Sequence, residues 1–224
     1  FPDRRAADPL PQRRDHRRTV VALEQHDHVV GPFEALGHPR VLALTATAAP
    51  PIRQEIAERL GMVDPAILVQ GFDRPNIDLS VERCPDKTRK HAALLEHVQD
   101  AAKPGIVYAA TRKHAEELAA LLCDAGLRAA HYHAGLPSSV RKETEAAFMA
   151  DQFDVLVATT AFGMGIDKPN VRFVYHADIS ESLDAYYQEI GRAGRDGEPA
   201  EAILFYSHND LHLRRFLASE GKVE

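Results

Sequence analysis

The chain has 224 residues, of which 45% are hydrophobic and 27% charged, and its formal net charge is −6. This length suits one large domain or one and a half small ones, and the composition is ordinary for a globular protein. The negative charge means that any contact with nucleic acid has to come from local basic patches. No apolar run approaches the roughly 20 residues of a membrane span, and two cysteines cannot build a disulfide framework. We therefore expect a cytoplasmic protein without a membrane partner.

Residues 1–37 differ from the rest of the chain. They are rich in arginine and proline, with six arginines in the first eighteen residues, and they show no apolar period. This composition predicts a disordered arm. A basic arm that touches nucleic acid is the alternative interpretation.

Residues 38–84 contain shorter predicted elements. The stretch VLALTATA, from Val41, and the stretch AILVQ, from Ala66, each predict a short strand. Between them PPIRQEIAERLG predicts a helix, with proline in the first turn and Gly61 at its end. GFDRPN, at residues 71–76, is a turn-rich link, and IDLSVERC after it alternates as an exposed strand does.

From residue 85 onward, predicted helices and strands alternate. Helices are expected at about 87–101, 111–126, 138–150, from 182 and after Ser207, and the strands are GIVYAA, AAHYH, DVLVATT, VRFVYHAD and EAILFY. Alternation of this kind indicates a parallel sheet with helices on both faces. The continuously apolar strands agree, because both faces of a central parallel strand are buried. The predicted fold class is therefore α/β.

Polar and glycine-rich segments follow three of the predicted strands. In such a sheet ligands bind outside the carboxyl ends of the strands. Thr111 and Arg112 stand at one helix start, and Ser138 and Ser139 at another. Because free backbone NH groups at a helix start favour phosphate, a row of these sites suits a phosphodiester backbone.

The segment AFGMGID, at residues 161–167, has two interpretations. Its two glycines let the backbone approach a ligand closely, and Asp167 follows on a turn that Pro169 restrains. Asp167 then accepts hydrogen bonds from sugar hydroxyls. The alternative is a plain loop between two strands.

The segment QEIGRAGRDG, at residues 188–197, gives the strongest local signal. Helical periodicity predicts that Gln188, Arg192 and Arg195 lie close together. Arginine offers a planar, permanently charged fork that matches phosphate oxygens. Three glycines within seven residues would each cost about 1 kcal/mol in a helix. We interpret the segment as a phosphate-binding element and not as a solvated helix end.

His131 and His133 occupy alternate positions of a predicted strand and are candidate metal ligands. The sequence places no third ligand near them, so we expect no metal site.

These segments together resemble a known family. LALTATA, FDRPNI, GIVYAATR, YHAGL, VLVATTAFGMGIDKPNVRFVYH and SLDAYYQEIGRAGRDGEPAEAILFY have the order and spacing of RecQ-family DNA helicases of superfamily 2. The resemblance runs from about Val41 to about Leu217. It implies two RecA-like lobes that close on ATP and Mg²⁺ and move along single-stranded DNA with 3'–5' polarity, in DNA repair and recombination.

The resemblance also implies roles for particular residues. Arg192 and Arg195 resemble the pair that reaches the phosphates, with Arg195 as the arginine finger. Asp167, Gly165 and Gln188 resemble nucleotide-side residues, and Thr45 and Thr47 belong to the motif that couples ATP state to DNA. The implied DNA contacts are Thr111, Arg112, His133, Gly135, Thr159 and Thr160.

Two motifs of the family are absent from these 224 residues: the phosphate loop G-x-x-x-x-G-K-[ST] and the acidic D-E-x-H motif. We therefore expect a fragment or a product of a shifted reading frame, without ATPase activity of its own. The expected domains are an arm at 1–37, a remnant of the first lobe at 38–70, a link and strand at 71–84, the second lobe at 85–218 and a tail at 219–224.

Two alternatives stay open. The first is a stand-alone nucleic-acid-binding module that has lost catalysis. The second is a regulatory lobe that completes the ATP site of a separate first-lobe polypeptide. A reading frame upstream of Phe1 that encodes a phosphate loop would favour the helicase.

Overall fold

The structure, a computed structural model, describes residues 41–43, 50–68, 74–163, 167–212 and 215. The chain divides into two compact units between residues 70 and 71. Among these residues, no helix is both long and apolar enough to cross a membrane.

The first unit contains helix α1 (Pro50–Arg59), which confirms the helix predicted there. None of its residues is buried, and Gly61 follows it with a φ of 59°. The strand predicted from Ala66 is wrong over its described part, because residues 66–68 are irregular. A β-type run becomes a strand only where another strand pairs with it. Most of the strand predicted from Val41, with Thr45 and Thr47, lies outside the described residues, and its first three are irregular.

The second unit is built on a six-stranded sheet. Its strands are β1 (Ile77–Arg83), β2 (Gly105–Tyr108), β3 (Ala129–Tyr132), β4 (Val155–Ala158), β5 (Phe173–His176) and β6 (Ala200–Tyr206). Every pair of neighbours is parallel, and the order across the sheet is β1-β6-β5-β2-β4-β3. The predicted α/β fold with a parallel sheet is confirmed.

Four helices connect these strands: α2 (Lys87–Asp100), α3 (Arg112–Asp124), α4 (Ser138–Met149) and α5 (Leu183–Ile190). Three begin at a side-chain cap, in which Asp86, Thr111 or Ser182 accepts a hydrogen bond from the amide three residues later. Such caps satisfy an amide that the helix itself leaves unpaired. A further helical stretch at 208–212 follows Ser207, whose amide and hydroxyl both donate to Asp210.

The sheet separates two apolar clusters. Neighbouring residues of β2 divide between them, because side chains alternate across a strand: Val107 belongs to one cluster and Ile106 to the other. Leu94 of α2 and Leu118 of α3 pack in the first cluster. Strands β2, β4 and β5 are buried along their whole length. This explains why their sequences are continuously apolar.

The parallel arrangement brings the carboxyl ends of all six strands to one edge of the sheet. The connection from β4 to β5 contains no helix among its described residues, 159–163 and 167–172. Since the two strands are parallel, this connection has to run from the carboxyl edge back to the amino edge. It therefore carries residues past both edges of the sheet.

Candidate functional site

The two predicted phosphate-binding arginines lie in a loop directly after α5, at residues 191–197, which we call the arginine loop. The expectation that they continue the helix is wrong, because α5 ends at Ile190 with Gly191 as its C-cap. Gly194 and Gly197 both adopt positive φ, 54° and 86°, which a helix does not contain. The glycines thus form turns, and they do not weaken a helix.

Two side chains from just before β1 hold the arginine loop in place. The Arg74 guanidinium donates to the carbonyl groups of Ala193 and Gly194 at 2.9 and 2.8 Å. The Asn76 amide donates to the carbonyls of Gly194 and Glu198 at 2.8 and 3.0 Å. A Cβ at Gly194 would lie 2.5 Å from the Asn76 amide nitrogen. Sequence reasoning took these two residues only as part of a link, although they belong to the FDRPN motif.

A buried polar cluster anchors α5 to the sheet. Glu189 accepts from Ser180 Oγ at 2.7 Å and lies 2.9 Å from His176 Nε2 at the end of β5. Both His176 and Glu189 are buried. Because a buried carboxylate without partners is costly, this pairing holds the last turn of α5 against the end of β5.

Arg195 lies at the surface and pairs with Asp167. Its Nη1 is 2.8 Å from Asp167 Oδ1, and the two side chains are 34% and 84% exposed. An ion pair this exposed contributes only about 0–1 kcal/mol. Arg195 can therefore exchange the carboxylate for a phosphate at low cost. The structure brings together these two residues, which the sequence separates by 28 positions.

Arg192 is less exposed than Arg195. Its Nε is buried and has no hydrogen-bond partner among the described residues. Its guanidinium lies against Gly163, where a Cβ would be 2.7 Å from Nη2. It also neighbours the Tyr108 hydroxyl: burial raises the pKa of Tyr108, while the Arg192 charge and hydrogen bond act to lower it. The missing side chain of Gly163 is what makes room for Arg192.

For the remaining predicted nucleotide residues the structure gives little or no contact information. Gln188 is exposed on α5, one turn before Arg192. Gly165 lies outside the described residues, as do the predicted coupling residues Thr45 and Thr47.

The predicted DNA contacts follow three adjacent strands at the carboxyl edge. Thr111 and Arg112 follow β2, Thr159 and Thr160 follow β4, and His133 and Gly135 follow β3. Strand β4 pairs with both β2 and β3, so these six residues form one row, which we call the carboxyl-edge row. The strand pattern predicted a row of such residues at this edge. The structure adds the order in which the residues lie, which follows the strand order β2-β4-β3.

Within the carboxyl-edge row, Arg112 and Gly135 approach each other closely. A Cβ at Gly135 would lie 3.0 Å from Arg112 Nη1 and 3.2 Å from His133 Nδ1. The Thr111 hydroxyl accepts from the His114 amide and so caps α3, but its proton remains available to a ligand. Arg112 and Thr160 are exposed. The row thus offers a cation and hydroxyl groups at the surface.

The backbone of the arginine loop extends to the amino edge of the sheet, while the Arg192 side chain reaches Gly163, close to Thr160 of the carboxyl-edge row. The Gly194 amide donates to the Val171 carbonyl at 2.8 Å, two residues before β5 begins. The Asp196 amide similarly donates to the Pro169 carbonyl at 3.3 Å. The β4–β5 connection begins in the row, at Thr159, and reaches the arginine loop at Gly163 and Asp167. It continues the row along the chain and contacts the arginine loop through the Arg192 and Arg195 side chains.

A buried charge cluster that the sequence did not reveal lies beside Thr111. Lys90 Nζ is 2.7 Å from Asp210 and 3.3 Å from Asp178, and His114 Nδ1 is 2.6 Å from Asp178. Burial acts to raise the pKa of Asp178, but His114, Lys90 and the Ala110 amide together hold it well below its ordinary value. The cluster lines a cavity of about 380 Å³. No spacing in the sequence predicts it, since Lys90 and Asp178 are 88 positions apart.

The structure also corrects the argument about His131 and His133. The sequence placed no third ligand near them, but Glu116 of α3 lies beside both in the fold. Helix α3 packs against β3, which brings a residue 15 positions away to the same place.

Comparisons with known proteins agree with this architecture. Residues 86–197 match the helicase conserved C-terminal domain. The chain is 43% identical over 187 residues to the ATP-dependent DNA helicase RecQ of Bacillus subtilis, covering 83% of this chain and 31% of that protein. It is 45% identical over 174 residues to RecQ of Pasteurella multocida, covering 77% of this chain and 27% of that protein.

Solved structures support the fold alone. Dbp5 of Saccharomyces cerevisiae, bound to RNA and ADP BeF3, superposes with a TM-score of 0.65 at 22% identity, covering 84% of this chain and 51% of that one. This chain spans about a third of the curated relatives it matches. The matched domain and the identity to RecQ proteins show that the chain belongs to the RecQ family of superfamily 2 helicases, as a C-terminal half.

Proposed function

We propose that this chain is the second motor lobe of an ATP-dependent DNA helicase. The support is the family together with the names of the relatives, which are ATP-dependent DNA helicases. The chain spans a third or less of those relatives, so the activity belongs to a longer assembly that includes a first lobe. The relatives' length accommodates that lobe in the same polypeptide.

The observation that carries this proposal is the exposed pairing of Arg195 with Asp167. A guanidinium that stabilises a transferring phosphoryl group has to be held ready and yet be released when the nucleotide arrives. The 2.8 Å pair meets both needs, since it orients Arg195 but contributes little free energy. We assign Arg195 as the arginine finger and Arg192 as a residue that grips phosphate oxygens.

We assign DNA binding to the carboxyl-edge row. Arg112 supplies the charge, and Thr111, Thr159 and Thr160 supply hydroxyls to a phosphodiester backbone. Contacts to phosphate carry no base information, so binding is expected without sequence preference. We assign Asp167 and Gln188 to the nucleotide, on the family resemblance.

The finer parts of the proposal rest on the family resemblance. They are ATP with Mg²⁺ as the cofactor, 3'–5' polarity, a role in DNA repair and recombination, and a cytoplasmic location. The Mg²⁺ and most of the phosphate contacts belong to the first lobe, because the phosphate loop and the acidic motif are absent from this sequence.

The test uses a complete two-lobe protein that contains this lobe. Negative charge spreads over the equatorial oxygens of the phosphoryl group in the transition state, and a guanidinium aimed there acts more on that state than on bound ATP. We expect Arg195→Ala to lower DNA-stimulated ATP turnover by at least about two orders of magnitude. The affinity for ATP should change little. Steady-state ATPase assays and nucleotide titrations measure the two quantities.

Arg195→Lys and Arg172→Ala complete the experiment. Lysine lacks the planar fork and should not restore turnover. Arg172 also pairs with an aspartate of the arginine loop, Asp196 at 2.5 Å, so its removal perturbs the loop without removing the proposed finger. Near-normal turnover in a folded Arg195→Ala protein would place the finger elsewhere.

A further inference from the structure

Glu116, His131 and His133 bring three metal-binding atoms together beside the carboxyl end of β3. These atoms all lie within 4.8 Å of one another, and no other such group occurs in the part of the chain that the structure describes. Imidazole nitrogen and carboxylate oxygen are ligands that Zn²⁺ takes in proteins. We propose that these three residues form a Zn²⁺ site.

The fold builds this site from one strand and one helix. His131 and His133 are two positions apart in extended chain, so both side chains leave the same face, while Tyr132 between them points into the apolar core. The two imidazole rings are nearly parallel, at 10°, with centroids 5.4 Å apart. Glu116 Oε1 reaches His133 Nε2 from α3 at 2.9 Å.

The hydrogen bonding of His133 shows what a metal ion would replace at this site. Its side chain is only 5% exposed, and Nε2 lies 2.9 Å from Glu116 Oε1. The carboxylate can only accept, so the metal-free ring donates from Nε2. A Zn²⁺ ion would displace that proton and bind the Nε2 lone pair and the carboxylate together.

The distances suit zinc after small movements. Bonds of about 2.0–2.1 Å in a tetrahedral site place ligand atoms roughly 3.3 Å apart. The present separations, from 2.9 Å to at most 4.8 Å, differ from that by less than about 1.5 Å. Glu116 is 52% exposed and His131 is half-buried, so both side chains have room to rotate. The open side next to Glu116 leaves the fourth position to water.

Arg112 sets the expected strength of binding. Its guanidinium lies near His133 across Gly135, and a second cation there is repelled. The site is therefore weaker than one without a neighbouring positive charge. This inference concerns metal binding alone and does not depend on the proposed helicase role.

The experiment titrates the tag-free chain with Zn²⁺ alone, by calorimetry and by competition with a chromophoric chelator. We expect one equivalent to bind at this site. His131→Ala and Glu116→Gln should each raise its Kd by at least about tenfold. Both residues are partly or largely exposed, so folding should survive, and circular dichroism checks that. Co²⁺ in place of Zn²⁺ should give the visible absorption of a tetrahedral ion.

His97→Ala is the matched control. His97 Nε2 lies 2.8 Å from Glu82 Oε2, a histidine–glutamate pair of the same kind but without a second histidine beside it among the described residues. Its loss should leave the zinc affinity unchanged. The proposal is wrong if no equivalent binds, if folded His131→Ala binds as tightly as the parent chain, or if His97→Ala weakens binding equally.

Discussion

At the arginine loop, glycines without side chains matter as much as the charged arginines. The two arginines carry the charge, but their positions depend on Gly163 and Gly194, where a side chain would displace Arg192 or Asn76. Sequence reasoning identified the arginines from residue type and spacing. It gave Gly163 a close approach to a ligand and did not identify its contact with Arg192, nor the role of Arg74, because their partners are distant in the chain and only the fold brings them close.

Gly163→Ala is predicted to impair the complete two-lobe protein through Arg192. The new Cβ would lie 2.7 Å from Arg192 Nη2, the end of a flexible side chain that moves away. We expect the free energy of unfolding to change by no more than about 1 kcal/mol, because no backbone has to shift. DNA-stimulated ATP turnover should fall at least about tenfold, since a misplaced charged group loses its effect on the phosphates. Chemical denaturation and steady-state ATPase assays measure the two effects.

A double-mutant cycle provides the control for this prediction. If Gly163 acts through Arg192, the variant that combines Gly163→Ala with Arg192→Ala should be no slower than Arg192→Ala alone. Losses of turnover that simply multiply would show that Gly163 has an independent role.

At the scale of elements, apolar runs and capping residues predicted most strands and helix starts correctly, whereas a short β-type run and a helix end were predicted wrongly. The five strands from β2 to β6 and the caps at Thr111 and Ser207 followed from apolar runs and capping residues. The strand predicted from Ala66 failed because strand formation needs a partner that a short β-type run does not specify. The continuation of α5 through Arg195 failed because glycine turns ended the helix, although residue spacing still suited its period.

Helices α2 and α3 contact each other through a pair of histidines that should make the free energy of unfolding depend on pH. His91 Nε2 lies 3.0 Å from His114 Nε2, and the two rings stack with centroids 5.3 Å apart. Burial, followed by the charges of His114, Lys87 and Lys90, lowers the pKa of His91 from 6.5 to about 4. His91 therefore stays neutral in the folded chain at pH values where the unfolded chain already binds a proton.

The chain is accordingly predicted to lose stability as the pH falls from about 6.5 toward 4. A lowered folded-state pKa means that the unfolded state binds more protons in this window, so the free energy of unfolding decreases with decreasing pH. One proton gives at most about 1.4 kcal/mol per pH unit, and partial exposure of the ring reduces that. His91→Asn should flatten the dependence. Urea denaturation at pH 7, 6 and 5 measures it.

The exposed His208 serves as the comparison for His91. It lies 3.1 Å from the Tyr206 hydroxyl and belongs to no histidine pair among the described contacts. His208→Asn should leave the slope between pH 7 and 5 as it is in the parent chain. An unchanged slope in His91→Asn would contradict the assignment to the pair.

At the scale of the whole molecule, the proposed binding to DNA would have to overcome an unfavourable net charge. The chain carries a formal charge of −6, so the carboxyl-edge row acts against the average field of the protein. The parallel sheet brings the carboxyl ends of β2, β4 and β3 to one edge. The fold therefore gathers there the cationic and hydroxyl groups of the row, although the chain as a whole is acidic. The net charge and the strand pattern together therefore predict weak, local binding.

The last prediction is that the chain binds single-stranded DNA with a salt dependence set by this row. With two to four phosphate contacts, log K should fall against log salt with a slope of roughly −1.5 to −3. Arg112→Ala should weaken binding and reduce the steepness of the slope by about one contact, or roughly 0.7. Arg128→Ala makes the same change of charge at the amino edge, where Arg128 precedes β3 and pairs with Asp154, and it should leave the slope nearly unchanged. Fluorescence anisotropy with oligonucleotides of different sequence, from 50 to 200 mM salt, measures both affinity and sequence preference. Equal effects of the two substitutions would mean that DNA follows no particular edge of the sheet, and the assignment of the carboxyl-edge row would then fail.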